Sequence, residues 1–200
     1  AHETMNGIPI STAVTAVKGC DVLIDFTVPE NTMKNLLFCR ENGIRMVIGT
    51  TGLTPEQEEY IRDAAELIPI VYSSNMSVGV NILFKLTELM ARAAPSSYMV
   101  NIREAHHIHK KDAPSGTAKT LAKIIKDASS KDVFHIESVR EGEIVGDHDV
   151  MFESGEDIIT IRHHAKSRDI FARGAIEAAK FLKDKQSGLF TMADVLGLSA

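Results

Sequence analysis

The stretch from Glu104 to Ala118 reads EAHHIHKKDAPSGTA, and the rest of the sequence is best interpreted outward from it. A short β-prone run, Tyr98 to Ile102, precedes it. Apolar residues at helical spacing follow it, from Ala118 through Leu121 to Ile125. Its Pro-Ser-Gly-Thr segment is typical of a turn that opens a helix. The stretch therefore predicts a strand end, a loop and a helix N-terminus in succession.

This arrangement predicts a site for a small anionic ligand that receives a proton. A helix N-terminus offers unpaired N–H groups and a partial positive charge, which can hold a carboxylate or phosphate. Histidine exchanges a proton near neutral pH, and lysine adds positive charge. The residues of these types, together with the hydroxyl donors and the glycine at the helix start, are His106, His107, His109, Lys110, Lys111, Ser115, Gly116 and Thr117.

Simpler explanations exist for each part of the stretch. Three histidines could bind zinc, although no cysteine lies near them and alternation in an extended segment separates His106 from His107 and His109. The Ser-Gly-Thr triplet could be only a helix N-cap. Lysines on a loop are usually just solvated. It is the concentration of these residue types in one window that favours a functional site.

Upstream, the sequence alternates between buried-strand and helix patterns. Apolar runs at Asp21–Thr27, Arg45–Gly49 and Ile68–Tyr72 are separated by helical segments that begin at Pro29 and Thr54. This rhythm is typical of a parallel, doubly wound α/β sheet, in which ligands bind beyond the carboxyl ends of the strands. Small or polar residues follow all three runs, which predicts a nucleotide site; one such end alone would be ordinary turn chemistry.

The usual opening of a dinucleotide-binding sheet is not found in this sequence. Such a sheet normally begins with a strand, a G-x-G-x-x-G turn and a helix, and no G-x-G-x-x-G occurs here. The three strands therefore match the later part of a Rossmann-like domain. On this basis the chain as given is expected to bind a nicotinamide nucleotide weakly. The alternative interpretation is a non-catalytic fragment that binds substrate and oligomerises.

The second half of the sequence has a different pattern. A helix is predicted over Val78–Ala93. Three β-rich runs with short links follow the central stretch, at Val133–Val139, Glu143–Phe152 and Asp157–His164. Consecutive strands with tight links predict an antiparallel or mixed sheet in an α+β domain. A last helix over Ser167–Lys183 precedes a tail with a short helix or turn. The expected domains are residues 1–77 with the tail 187–200, and residues 78–186.

Composition restricts the possible classes of function. The net charge is −5 and no basic stripe occurs, which argues against a nucleic-acid partner. The two cysteines, Cys20 and Cys39, are far apart in sequence and expected to be reduced, which favours a cytoplasmic setting. No apolar run approaches the ~20 residues of a membrane span. The cationic residues His163, His164, Lys166 and Arg168 are expected at a loop and helix start, where they could be merely solvated.

The central stretch resembles the signature of the 4-hydroxy-tetrahydrodipicolinate reductase family, also called dihydrodipicolinate reductase. The match is EAHH followed by Lys110 and then DAPSGTA. Supporting matches are IDFT at residues 24–27, VIGTTG at 47–52, NMSVGVN at 75–81 and SGLF at 187–190. The resemblance extends from about Cys20 to Ala200, and the Gly-rich opening of the family is not present in it.

The resemblance implies an NAD(P)H-dependent reduction of a cyclic imine dicarboxylate in the diaminopimelate route to lysine. It implies catalytic roles for His106 and Lys110, the first as the acid that protonates the ring carbon. The implied substrate contacts are His107, Gly116, Thr117 and Arg168. The implied cofactor contacts, for NADH or NADPH, are Phe26, Gly49, Thr50, Thr51, Ser73, Ser74, Asn75 and Met76. Val28 stands where some family members carry Arg, and Met76 stands where many carry Phe.

The same resemblance implies a homotetramer that assembles through the sheet of the second domain, at residues 133–164. No metal site is expected, and stoichiometric zinc would instead support a metal-dependent hydrolase. The expected partners are a small dicarboxylate and further copies of this chain, with neither nucleic acid nor a membrane among them.

Overall fold

The computed structural model describes residues 3–199, which form two compact units. The first unit comprises the described residues up to Ser73 together with Ala175–Thr191. The second comprises Ser74–Gly174 together with the described residues from Met192 onward. Contacts therefore group residues 192–199 with the second unit, whereas the sequence analysis grouped the tail with the first. The functional domain assignment stays a prediction.

The elements follow one another along the chain as helices, strands and two 3-10 turns. In the first unit they are β1 (Thr4–Met5), β2 (Ile8–Pro9), a 3-10 turn at Val14–Val17, β3 (Val22–Asp25), α1 (Pro29–Asn42), β4 (Arg45–Ile48), α2 (Pro55–Ala65) and β5 (Pro69–Tyr72). The second unit follows with α3 (Val78–Ala93), β6 (Met99–His106), α4 (Gly116–Ser129), β7 (His135–Arg140), β8 (Asp147–Glu153) and β9 (Ile158–His164). The last elements are α5 (Asp169–Phe181), a 3-10 turn at Leu182–Asp184, β10 (Gly188–Phe190) and α6 (Met192–Val195).

The first unit is built on a four-stranded parallel sheet with the order β10-β5-β4-β3. Its helices begin and end where local chemistry dictates. Pro29 opens α1, and Gly43 ends it with the left-handed φ of 65° that glycine adopts without strain. Thr54 caps α2 through a capping box with Gln57. Met46, Ile48 and Ile70 are fully buried on the central strands. The parallel pairing of the four strands confirms the predicted sheet.

The edge strand β10 was not predicted, because the tail was expected to form only a short helix or turn. Its three residues pair in parallel with β5, with Gly188 opposite Pro69. The preceding turn is held by Arg45, whose Nε donates to the carbonyl of Leu182 at 2.9 Å and whose Nη2 donates to that of Lys183 at 3.0 Å. A strand this short has no readable alternation, and its partner is distant in sequence. Only the tertiary structure reveals it.

The second unit contains a mixed sheet with the order β7-β6-β8-β9. Strand β6 is parallel to β7 and antiparallel to β8, and β8 is antiparallel to β9. Helices α3 and α4 contribute to a single core with β6 and β8. The central members of that core are Leu83, Val100, Ile102, Leu121, Ile125 and Phe152. The predicted mixed sheet of an α+β domain is confirmed.

Strand β6 is the element that positions the central stretch. The sequence predicted a strand that ends at Glu104 and a loop that carries His106, but the strand continues through His106. Because side chains alternate along a strand, Glu104 and His106 share the face on which Val100 and Ile102 are buried. Both residues are therefore rigidly placed against the core and are not on a mobile loop.

Among the described residues, no helix is both long enough and apolar enough to cross a membrane.

Gly174 lies inside α5, where helix propensity alone would favour alanine by about 1 kcal/mol. A Cβ at this position would lie 1.7 Å from the backbone carbonyl oxygen of Met76, which cannot move aside as a side chain can. We therefore expect Gly174→Ala to lower the free energy of unfolding by about 1–3 kcal/mol. Urea unfolding would measure this, with Gly155→Ala as the control because a Cβ there meets no atom within 4 Å. A stabilised Gly174→Ala variant would contradict the close approach.

Candidate active site

The carboxyl ends of β3 and β4 are joined by a buried polar network around Asp25. Its Oδ1 accepts the backbone N–H of Thr27 at 2.9 Å and the hydroxyl of Thr50 at 3.4 Å, and its Oδ2 accepts the amide of Asn35 at 3.3 Å. The hydroxyl of Thr32 lies 2.8 Å from that of Thr50. Asp25 and Thr50 are almost fully buried, and the hydrogen bonds of the Thr50 side chain help to hold the two strand ends together.

Gly49 and the ring of Phe26 lie in close contact at this edge of the sheet. A Cβ on Gly49 would lie 2.3 Å from Cε1 of Phe26, so the aromatic ring occupies the place of a missing side chain. The half-exposed ring of Phe26 thus forms an apolar surface beside a polar strand end. Thr51 is exposed next to it, and Ser73 follows β5. That these residues contact the nicotinamide side of a cofactor stays a prediction.

Ser74, Asn75 and Met76 open the second unit. Asn75 accepts the N–H of Ser77 at 2.9 Å, and its amide donates to Oγ1 of Thr117 at 3.2 Å. Met76 is buried, with its carbonyl against Gly174. Two of the predicted contacts, Asn75 and Thr117, are thus joined directly, and this ties the segment after Ser74 to the start of α4.

Glu104 is the most heavily bonded side chain of the second unit's site. It is fully buried, and its Oε2 lies 2.5 Å from Nδ1 of His106. Arg140 donates to both carboxylate oxygens, at 3.0 and 2.8 Å, and the N–H of Ser115 donates to Oε1 at 3.2 Å. Burial raises the pKa of Glu104, but hydrogen bonds from Arg140, Ser138 and His106 lower it more, to about 2. The carboxylate is therefore ionised at any physiological pH.

His106 is buried at the end of β6, with its ring edge-on to that of His148 at 5.2 Å. Burial lowers the pKa of His106, Glu104 opposes this change, and the positive charges of Lys110 and Arg140 reinforce it. The ring side that carries Nε2 faces Gly146, where a Cβ would lie 3.2 Å from that atom. In the unliganded protein the imidazole is thus neutral at neutral pH, with one nitrogen on Glu104 and the other beside a glycine.

The other predicted substrate contacts are arranged around the loop and the start of α4. Nη2 of Arg168 lies 3.0 Å from Nε2 of His107, and since arginine can only donate, that nitrogen of His107 accepts. Nζ of Lys110 lies 2.8 Å from Oδ1 of Asp112, and this contact lowers the pKa of Asp112. A Cβ on Gly116 would meet no atom within 4 Å, so the backbone there is open to a ligand. Lys111 is exposed.

Several residues of this buried cluster were missed by the sequence analysis. Glu104 was quoted in the motif without a role, and Arg140 and His148 were not singled out. His148 is almost fully buried, with its Nε2 at 3.2 Å from Oγ of Ser115, the N-cap of α4. The one usable signal was the spacing of Glu104 and His106, which places both on one strand face. Arg140 joins them only because β7 pairs with β6 in the register that sets Arg140 opposite His106.

The expected cationic group at residues 163–168 needs a correction. His163 and His164 lie in β9, within the predicted β-rich run Asp157–His164 and not at the loop and helix start expected for the cationic group, and they alternate across the sheet. His163 packs against Gly79, and burial lowers its pKa, so it is neutral. His164 lies 2.6 Å from Asp147 through Nδ1. Within the described hydrogen bonds, Arg168 is the member of this group that contacts another predicted site residue, His107.

In residues 3–199, no group of three or more His, Cys, Asp or Glu side chains is arranged to hold a metal ion.

Comparison with known proteins decides the family. The family description "Dihydrodipicolinate reductase, N-terminus" matches residues 1–76, and "Dihydrodipicolinate reductase, C-terminus" matches residues 79–196. The chain belongs to the dihydrodipicolinate reductase family. The resemblance drawn from the central stretch is therefore confirmed.

Individual members of the family support this assignment. The 4-hydroxy-tetrahydrodipicolinate reductase of Nitrosomonas europaea is 46% identical, over 98% of this chain and 80% of its own length. That of Chromobacterium violaceum is 46% identical, over 92% of this chain and 76% of its own length. The dipicolinate-bound dihydrodipicolinate reductase from Paenisporosarcina sp. TG-14 has a TM-score of 0.81 at 25% identity, over 97% of this chain and 81% of that one.

The burial of His148 predicts a loss of stability at acid pH. Burial lowers the pKa of His148 from 6.5 to about 4, with a further contribution from His106. The unfolded chain therefore binds more protons than the folded one between these values, and stability falls as the pH drops through this window. The difference between the two pKa values corresponds to roughly 3 kcal/mol of unfolding free energy lost across this pH window.

We expect the free energy of unfolding to fall less between pH 7 and pH ~4.5 in His148→Gln than in the unsubstituted chain, because the variant lacks this linkage. Urea titrations across the pH range would show the difference. His109→Gln is the control, since the side chain of His109 is 73% exposed. An unchanged pH dependence in His148→Gln would contradict the assignment of a neutral, buried imidazole.

Proposed function

We propose that this chain catalyses the NAD(P)H-dependent reduction of 4-hydroxy-tetrahydrodipicolinate to tetrahydrodipicolinate, in the diaminopimelate route to lysine. The observation that carries the proposal is the 46% identity over 98% of the chain with a relative of that name. A related structure at 25% identity is dipicolinate-bound, which supports a ligand with two carboxylates. We further propose that the chain acts in the cytoplasm with NADH or NADPH, because its two cysteines are expected to be reduced.

The proposed substrate site consists of the start of α4 and the loop before it. A carboxylate at the N-terminus of α4 would accept hydrogen bonds from the N–H groups of Gly116 and Thr117, which the open space at Gly116 permits. Lys110 and Arg168 would neutralise the dicarboxylate. The Lys110–Asp112 and Arg168–His107 contacts hold these two cations in place before the ligand arrives. His107 completes this set of substrate contacts.

The proposed cofactor contacts are Phe26, Gly49, Thr50, Thr51, Ser73, Ser74, Asn75 and Met76, for either nucleotide. When bound, the reduced nicotinamide supplies the hydride. The protein contributes position and charge: Gly49 leaves room for the ring of Phe26, and the Asp25 network holds the strand ends. The choice between NADH and NADPH depends on contacts with the ribose end of the nucleotide.

His106 is the proposed proton donor, with Lys110 beside it. A bound dicarboxylate brings negative charge to the ring, which raises the pKa of His106 and favours the imidazolium. Proton transfer breaks the N–H bond at Nε2 and forms a C–H bond on the substrate ring, and the electron pair remains on Nε2. The imidazole returns to the neutral form that burial favours in the unliganded protein.

We also propose that the chain forms a homotetramer through the sheet of its second unit. The face opposite α3 and α4 carries exposed apolar side chains, among them Met99 and Ile158. Arg103 and Arg162 on this face contact the largely buried carboxylate of Asp149. A flat face of this kind suits pairing with the same face of another copy. The mass of the assembly in solution tests the proposal.

Replacement of the proposed acid tests the reaction. We expect His106→Gln to lower kcat by about 10²–10⁴-fold, the usual contribution of a positioned acid. Oxidation of the reduced nicotinamide in the presence of substrate would measure kcat. Calorimetry with pyridine-2,6-dicarboxylate should find only a small change in affinity. His109→Gln is the control, and undiminished turnover in His106→Gln would refute the assignment.

The two neighbouring lysines provide a second test. We expect Lys110→Ala to raise KM and lower kcat, because Nζ of Lys110 is held beside the site by Asp112. Lys111→Ala should have a mild effect, since Lys111 is exposed. Both variants remove one positive charge, so their comparison separates a placed contact from diffuse attraction. Equal losses of kcat/KM in the two variants would show that only the overall electrostatic field of the protein matters.

A further inference from the structure

The position of Glu104 suggests a role beyond stabilising the fold. Its carboxylate is fully buried, and both of its oxygens accept hydrogen bonds from groups on two other elements. Arg140 at the end of β7 provides a two-pronged contact, and the N–H of Ser115 approaches from the start of α4. A carboxylate held at this many points cannot rotate. The direction of its remaining contact, with Nδ1 of His106, is therefore set as well.

That contact determines which ring nitrogen of His106 carries a proton. An ionised carboxylate can only accept, so Nδ1 of His106 must donate across the 2.5 Å contact. In the neutral imidazole, Nε2 is then unprotonated, and any proton added later goes to Nε2. Without the carboxylate, either nitrogen could carry the proton, and the ring could turn.

The same group of residues links the proton donor to the loop that carries Lys110. Nη2 of Arg140, besides contacting Glu104, donates to the backbone carbonyl of Asp112 at 2.5 Å. Asp112 in turn holds Nζ of Lys110 at 2.8 Å. The chain of contacts therefore runs from His106 through Glu104 and Arg140 to Lys110.

We propose that Glu104, clamped by Arg140 and by the N–H of Ser115, is a positioning residue that fixes the proton of His106 on Nδ1 and keeps Nε2 as the atom that delivers a proton to the substrate. The expected effect on turnover rests on the proposed reduction. The protonation of the two ring nitrogens does not, because it is a property of the protein without substrate. Glu104 itself exchanges no proton with the substrate.

A double-mutant cycle tests the proposal. Glu104→Gln keeps the shape of the side chain but presents an amide, which cannot hold both Arg140 and the imidazolium as the carboxylate does. We expect kcat to fall by about 10- to 100-fold, less than the ~10²–10⁴-fold that a positioned acid contributes. In a His106→Gln background the same replacement should have almost no further effect, because Glu104 acts through His106. Equal losses in both backgrounds would overturn the proposal and leave Glu104 a structural residue.

The pH dependence of kcat gives a readout that a structural role would not move. The charged and titratable groups around His106 are Glu104 on the same strand, Arg140 on β7, His148 on β8 and Lys110 in the loop. Of these, only Glu104 favours the imidazolium by its charge. Removal of the Glu104 charge should lower the pH at which kcat begins to fall by about 1–3 units. Glu104→Asp should restore part of the rate. An unmoved profile in a folded Glu104→Gln variant would count against the proposal.

Nitrogen NMR of the ring provides a test without cofactor or substrate. In the unsubstituted protein above the pKa of His106, we expect Nδ1 to be protonated and Nε2 to be unprotonated. The opposite tautomer would overturn the proposal even if Glu104→Gln failed to fold. If the tautomer is as expected but the chain reduces no dicarboxylate, the proposed function fails and the positioning remains.

The control is Glu88→Gln. Glu88 is another carboxylate of the second unit held by two cations, Lys85 at 3.0 Å and Arg92. It lies on α3 and makes no contact with His106 among the described hydrogen bonds. We expect wild-type kcat, pH profile and ring protonation in this variant. A matching loss in Glu88→Gln would show that removal of any paired carboxylate disturbs the unit.

Discussion

The buried carboxylate of Glu104 is the constraint on which the site of the second unit depends. A buried charge without partners is strongly destabilising, and here the partners come from three directions. Arg140 approaches from β7, Ser115 from the start of α4 and His106 from the same strand. Because each partner belongs to a different segment, satisfying the charge also fixes the segments relative to one another. His106, the start of α4 and the intervening loop thus share one electrostatic requirement.

Much of the architecture was predictable because its boundaries follow from local chemistry. Thr54 with Pro55 and Gln57 forms a capping box, and Gly43 takes the left-handed conformation that ends α1. Such signals act within a few residues and can be read directly. The end of β6 and the existence of β10 could not be predicted in this way. A strand ends where its partners end, and the partners of these two strands are remote in sequence.

The same distinction applies to the site. The three histidines at 106, 107 and 109, Lys110 and the helix start were recognisable because one short window holds them all. The roles assigned to them, and to the cofactor contacts, stay predictions. Arg140, His148 and the network of Asp25 were not recognisable, because strand pairing and burial bring them to their partners. Two histidines expected to be cationic, His163 and His164, occupy opposite faces of β9. Their environments are properties of a sheet that no single segment encodes.

The late position of β10 in the chain has a consequence for synthesis. The sheet of the first unit takes its last strand from residues 188–190, after the whole sheet of the second unit has been made. Until those residues leave the ribosome, β5 presents an edge whose backbone groups are unpaired. The second unit's sheet is complete much earlier in the growing polypeptide. The nascent chain should therefore complete its two sheets in the reverse of their order, with the exposed edge of β5 as the surface most in need of protection by a chaperone.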